Sequence, residues 1–238
     1  MEHVFWIGLL AGMATLLGGA SAFQVPLGRR SLAFFLALAA GIMLFVVCFD
    51  LLPFVLRQSM STAMKGVLIG VILLALGDLA MSFGGTFSSS PLLQAGVLIA
   101  CGIAFHDLPE GVAIGAGYSV ASDLGTNLVL AIGLHNLPEG MAVAVPLLAA
   151  GVKKSKIFFL LFLISFCTPI GAILGFFLAE QLRNVQGLLC AVAAGAMLYV
   201  ALIELLPQAW KKEPISAIIG IVIGPLFMLV VTFLERGF

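Results

Sequence analysis

His106-Asp107-Leu108-Pro109-Glu110-Gly111 and, 29 residues further on (106 to 135), His135-Asn136-Leu137-Pro138-Glu139-Gly140 are two versions of one hexad set in apolar stretches. The chain has only three histidines, and two of them stand here. Residues four apart on a helix share a face, so His106 stacks with Glu110 and His135 with Glu139. Asp107 and Asn136 lie three before the same glutamates and flank that face. Each turn therefore offers one imidazole and two oxygen-bearing side chains toward one point. Pro109 and Pro138 remove an N–H and crowd the carbonyls of Phe105 and Leu134, which predicts a bend and freed carbonyls at each hexad. Freed backbone at membrane depth is tolerated where it lines a wet or ion-filled cavity.

The surroundings make a membrane the setting. Of the 238 residues 62% are hydrophobic and 9% charged, against the roughly 25% charged of soluble domains. Eight apolar segments are long enough, or nearly so, to cross a bilayer as helices: about 4–25, 32–56, 65–83, 92–118, 127–150, 157–180, 186–207 and 215–234. A net charge of zero gives no electrostatic case for a nucleic-acid partner. The start Met1-Glu2-His3 lacks a positive n-region, so the first span is expected to be retained although Ala20-Ser21-Ala22 resembles a cleavage site. Cys48, Cys101, Cys167 and Cys190 form no C-x-x-C pair and read as buried packing residues. Lys and Arg set the orientation. Arg29, Arg30, Lys153, Lys154, Lys156, Lys211 and Lys212 fall on one side, and Arg57, Lys65, Arg183 and Arg236 on the other. Both termini are thus predicted outside the cytoplasm.

A second repeat frames the first. Ala39-Ala40-Gly41-Ile42-Met43-Leu44-Phe45-Val46-Val47-Cys48-Phe49-Asp50-Leu51-Leu52-Pro53 matches the run from Ala193 to Pro207 at nine of fifteen positions. Asp50 answers to Glu204, and Met43 to Met197. The two runs lie five crossings apart, and the hexads one crossing apart, so each pair is antiparallel. The fold expected is an all-α polytopic membrane protein. Eight transmembrane helices form a 3+2+3 inverted repeat within a single domain, 1–238, with halves at about 1–83 and 157–238 and a central pair at about 92–150. Transporters commonly place midplane sites in such repeats.

Energetics separate function from accident. An ionised side chain at the bilayer centre costs roughly 2.5–3.5 kcal/mol, so Asp107, Glu110 and Glu139 together cost on the order of 8–10 kcal/mol. A total stability of ~5–15 kcal/mol does not absorb that without compensation by protons, water or cations. Imidazole with carboxylate and amide oxygen, and no thiolate, suits Zn2+, Fe2+, Mn2+ and Co2+ better than Cu+. Both hexads facing one gap have room for two metals, with Glu110 and Glu139 bridging between them. Asp50 and Glu204 read as acids of opposite mouths, or more blandly as interfacial acids. Met43 and Met197 read as packing or as soft ligands. Asp78 reads as interfacial and His3 as a residue without a role.

The hexads and the Ala39 to Leu44 run resemble the signature of the ZIP (Zrt/Irt-like) divalent-metal transporters, most nearly the compact bacterial ZupT/GufA-like branch. The resemblance covers nearly the whole chain. It implies eight helices, extracytoplasmic termini, a homodimer in the cell membrane and import of divalent metal toward the cytoplasm. Zn2+ is the foremost cargo implied, with Fe2+, Mn2+, Co2+ and Cd2+ as further ones. Carried over by position, a first site comprises Met43, His106, Glu110 and Glu139, with His135 at the equivalent place in the fifth helix. A second uses Asp107, Asn136 and the shared glutamates, and Glu204 resembles an acid of the exit path. Two departures stand out. Asp107 occupies a place that is usually Asn, and a sixth-helix glutamate common in relatives falls on Pro169, beside Thr168. The segment from Gly84 to Pro91 also lacks the histidines frequent in that loop.

Two other classes fit these residues less well. An intramembrane metalloenzyme would want H-E-x-x-H, or Glu-x-x-His on two helices, and neither occurs. A proton- or sodium-coupled carrier of an organic solute would use the same carboxylates without needing paired histidines.

Overall fold

The computed structural model describes residues 2–24, 28–83, 90–120 and 122–236. Those residues are almost entirely helical, and no strand occurs among them. The helices are α1 (Glu2–Ser21), α2 (Arg29–Phe45), α3 (Leu52–Gln58), α4 (Met60–Phe83), α5 (Pro91–Val120), α6 (Ser122–Ala149), α7 (Lys154–Ile164), α8 (Cys167–Tyr199), α9 (Leu206–Lys212) and α10 (Pro214–Arg236). Non-helical torsions at Leu178 divide α8 into two. Among the described residues, seven helical stretches are long and apolar enough to cross a membrane. The 28-residue α6 is not in that set, although it exceeds the roughly 20 residues a crossing needs. The protein is an all-α polytopic membrane protein. The segment from Gly84 to Ser89 and the side chains of Arg183 and Arg236 lie outside the described residues.

Where the helices break differs from expectation. Both α5 and α6 run without interruption through Pro109 and Pro138. The irregular turns fall instead at Val46–Leu51 and Val200–Leu205, two six-residue π-helical stretches that lead directly into Pro53 and Pro207. A π turn bonds each N–H one residue further back, which relieves the clash between a proline ring and the carbonyl four residues earlier. A further break at Ser165 and Phe166 precedes Pro169. Gly151, at φ 80°, ends α6. Val152 N–H reaches the Leu147 carbonyl at 3.0 Å and Gly151 N–H the Leu148 carbonyl at 2.9 Å, a Schellman closure.

Packing follows small residues, as expected where lipid removes the hydrophobic drive and close backbone contact must supply the attraction. Gly66 and Gly70 of α4 pack on Leu188, Ala191 and Val192 of α8, while Gly220 and Gly224 of α10 pack on Phe34, Ala37 and Leu38 of α2. Adding 154 to each residue of the α2/α4 helices gives its counterpart (66 to 220, 70 to 224, 34 to 188, 37 to 191), the same offset that relates Ala39 to Ala193. Gly111 of α5 lies against Thr168 and Ala172 of α8, and Gly140 of α6 against Thr15 and Gly19 of α1. The outer helices are α4 and α10, with 22% and 28% of their span buried, against 67% for α2 and for α5. The hexad helices therefore sit in the interior, packed on each other. Cys190 is buried and Cys167 half-buried, but Cys48 and Cys101 are exposed. The expectation of four buried cysteines fails for two, because their faces of α5 and of the first π turn point outward.

Candidate metal site

Helical spacing brings His106 over Glu110 on α5, and the contact of α5 with α6 brings His135 to the same carboxylate. The Nε2 atoms of His106 and His135 lie 2.7 and 2.8 Å from Glu110 Oε1. A second approach, His106 Nε2 to Glu139 Oε1, measures 3.7 Å. The imidazole centroids are 6.2 Å apart with planes inclined at 39°. The ligand atoms of His106, Glu110 and His135 all fall within 4.8 Å of one another. Tetrahedral zinc with bonds of about 2.0 Å separates its ligands by about 3.3 Å, which lies between the short pair of distances and the long one. His135 and Glu110 meet with hydrogen-bond geometry, whereas His106 Nε2 approaches Glu110 off-axis and makes no hydrogen bond. Lone pairs aimed past each other suit a shared third partner better than a direct bond.

Every hexad polar side chain is buried. His106, Asp107 and Asn136 have no exposed surface, and Glu110 and His135 keep 8% each. Among the described residues, both oxygens of Asp107, both of Glu139, Glu110 Oε2 and Asn136 Oδ1 have no hydrogen-bond partner. A buried polar atom left so costs about 1–3 kcal/mol, more when charged. Six such oxygens in one locus demand a compensating cation, proton or water. Asn136 differs from its counterpart Asp107 in having a tether: its Nδ2 donates to the Ala11 carbonyl of α1 at 3.2 Å.

Met43 is fully buried on α2, which packs against α6. Asp50 and Glu204 occupy matched positions in the two π turns, Asp50 exposed and Glu204 half-buried, accepting a hydrogen bond from Gln208 Nε2 at 3.1 Å. Pro169 lies in the first turn of α8 against Gly8 of α1, a packing position.

Two features escaped the sequence reading. Thr15 and Thr168 are wholly buried with unpartnered hydroxyls, each touching the hexad glycine of a neighbouring helix through its backbone. Their signal was present: Thr15-Leu16-Leu17-Gly18-Gly19 parallels Thr168-Pro169-Ile170-Gly171-Ala172. Asp78 is also more than interfacial. It accepts from Tyr199 Oη at 2.9 Å and from Gln94 Nε2, joining α4 to α5 and α8.

A membrane bundle whose interior holds two histidines and three carboxylates defines a class, polytopic proteins built around a buried cation-binding locus. Comparison with known proteins narrows it. The pattern of the family described as ZIP Zinc transporter matches residues 84–232. A zinc transporter ZupT of Akkermansia muciniphila is 36% identical, over 96% of each chain. Those of Corynebacterium aurimucosum and Streptococcus mutans are 32% and 31% identical, over 96–97% of each chain. The chain belongs to the ZIP zinc transporter family, in its ZupT branch, a family of transporters and not of enzymes.

Proposed function

We propose that this protein imports Zn2+ toward the cytoplasm through a midmembrane site made by the two hexads. The observation that carries the reading is Glu110 Oε1 held between two imidazole nitrogens, at 2.7 and 2.8 Å, inside an apolar bundle. His106, His135, Glu110, Glu139 and Met43 are the ligands of the first site. Asp107 and Asn136, with the shared glutamates, form the second, where Asp107 supplies the carboxylate that Pro169 does not. Fe2+, Mn2+, Co2+ and Cd2+ suit the same nitrogen and oxygen donors. The ion approaches past Asp50 and leaves past Glu204.

Architecture supports passage. With α6 counted as a crossing, eight spans form a 3+2+3 inverted repeat over 1–238, and the recurring 154-residue offset in sequence and packing supports it. The ends of α6 and α9 and the starts of α2 and α5 then share one face, the cytoplasmic one by its lysines and arginines, with both termini opposite. A homodimer in the cell membrane rests on the family resemblance alone, and chemical cross-linking in membranes tests it. His106 and Asp107 are wholly buried. Helices must separate to admit and release the ion.

Uptake of Zn2+ into proteoliposomes is the test. Glu110→Gln and His106→Ala should each lower the rate tenfold or more, since each removes a charged or nitrogen ligand worth at least ~1.4 kcal/mol. Binding measured without transport should weaken as pH falls, because protons compete for the same lone pairs. Variants with unaltered uptake would remove the hexads from the mechanism.

A further inference from the structure

At the face where α6 and α9 end and α2 and α5 begin, the chain forms an open cavity of about 690 Å3. Arg29, Lys211 and Lys212 line it, together with the first turn of α5 from Ser90 to Leu92, and no acidic side chain does so among the described residues. Arg29 is fixed there by an Nη2 hydrogen bond to the Lys212 carbonyl, 3.2 Å, which leaves most of its five donors free for an anion. The start of the 30-residue α5 adds the positive end of its dipole. Glu213, the acid next in sequence, is engaged elsewhere. Its carboxylate accepts the Ser216 N–H at 2.6 Å, which with nearby Arg30 holds it below the usual carboxylate range. Three cations thus line one concavity, with no acidic side chain among its described lining residues.

The level of this cavity in the membrane identifies the anion. Arg29 and Pro91 are the first residues of two apolar spans, and Lys212 is the last of a third. The cavity therefore sits where hydrocarbon gives way to headgroups. On another side of α9, an apolar groove of about 390 Å3 runs along Leu206, Pro207 and Trp210 toward Ile218 and Ile221 of α10. An exposed tryptophan at this level fits an interfacial position. The opposite face has a matching groove at Leu52, Leu56, Ala63 and Met64, 154 residues earlier. There Gln58 and Phe54 stand where this side has Lys212 and Gln208, whereas Arg57 and Arg183 answer in sequence to Lys211 and Arg29.

We propose that this cavity seats the phosphate-bearing headgroup of an anionic membrane phospholipid, with an acyl chain along the α9/α10 groove. Basic pockets between transmembrane helices hold such headgroups by charge and hydrogen bonding. The lipid has a consequence for transport, a part that rests on the function proposed above. Gln208 lines the cavity and also bonds Glu204, so a bound phosphate offsets the repulsion that Arg29, Lys211 and Lys212 exert on a divalent ion leaving past Glu204.

Native mass spectrometry of the delipidated full-length chain, titrated with phosphatidylglycerol or phosphatidylcholine without metal, tests the site independently of transport. Phosphatidylglycerol should bind at one high-affinity site per chain, about tenfold tighter than phosphatidylcholine, since each basic residue near an anionic headgroup contributes severalfold. The preference should vanish in R29Q/K211Q/K212Q, weaken in the milder K212Q, and persist in K65Q on the opposite face. Equal affinity for the two lipids, or an unchanged preference in the folded variants, would overturn the proposal. So would displacement by millimolar inorganic phosphate, which would make this a free-anion site. In proteoliposomes, phosphatidylglycerol should raise Zn2+ uptake severalfold more for the native chain than for K212Q. An absence of Zn2+ movement in every lipid would sink the transport reading and leave the binding result standing.

Discussion

Glu110 is the side chain on which the two hexads converge, while its counterpart Glu139 approaches only His106 within ion-pair range. The repeat is therefore symmetric in sequence and asymmetric in contact, and the two glutamates are not interchangeable. Zn2+ affinity should fall further in Glu110→Gln than in Glu139→Gln, as read by competition with a chelating dye. The buried threonines allow a different test. A hydroxyl with no partner gains nothing from burial, so Thr15→Val and Thr168→Val should leave stability to thermal unfolding unchanged or raise it by up to ~1 kcal/mol. A loss of that size instead would show that the hydroxyls hold a bound water or ion.

Close approach of helices is what gathers these residues. A Cβ on Gly111 or Gly140 would press into the backbone of Thr168 or Thr15, well inside contact distance, with rigid helix on both sides. Gly111→Ala and Gly140→Ala should each cost roughly 1–3 kcal/mol by overpacking, measured by thermal unfolding in detergent. Gly77→Ala on α4 is the control. Its nearest neighbour is the flexible end of Leu98 at 3.9 Å, so it should be neutral or stabilise by about 0.5–1 kcal/mol through helix propensity. The matched π turns are a property of the same scale. Pro53 and Pro207 lead out of them, whereas Pro109, Pro138 and Pro146 sit within continuous α-helix. Proline by itself therefore does not say where a helix gives way.

For the whole molecule, the proposed topology makes a prediction about sidedness. Residues 90 and 212 lie on one cavity, whereas Lys65 belongs to the opposite face in an eight-span arrangement. In a background with Cys48 and Cys101 replaced by serine, S90C and K212C should react with an impermeant maleimide only from the cytoplasmic side. K65C should react only from outside. Labelling of S90C and K212C from different sides would remove the eight-span arrangement.

Much of this is legible in the sequence. The composition required a membrane, because so few charges cannot cover a soluble surface of this size. The hexads marked the locus, because histidines and acids repeated within apolar runs need a compensating partner. The offset of 154 residues was visible in the Ala39 and Ala193 runs, and the fold extends it to Gly66 and Gly220. What the linear chain could not reveal was pairing in space: Glu110 between two imidazoles, Asn136 tethered to α1, Asp78 joined to Tyr199, and Arg29 beside Lys212. Those contacts join residues 25 to 183 positions apart, and only helix packing brings them together. Local sequence determines which side chains cannot tolerate lipid, because burial cost belongs to each residue. Which partner relieves that cost depends on how closely the helices meet, and that is decided by the glycine seams of the assembled bundle.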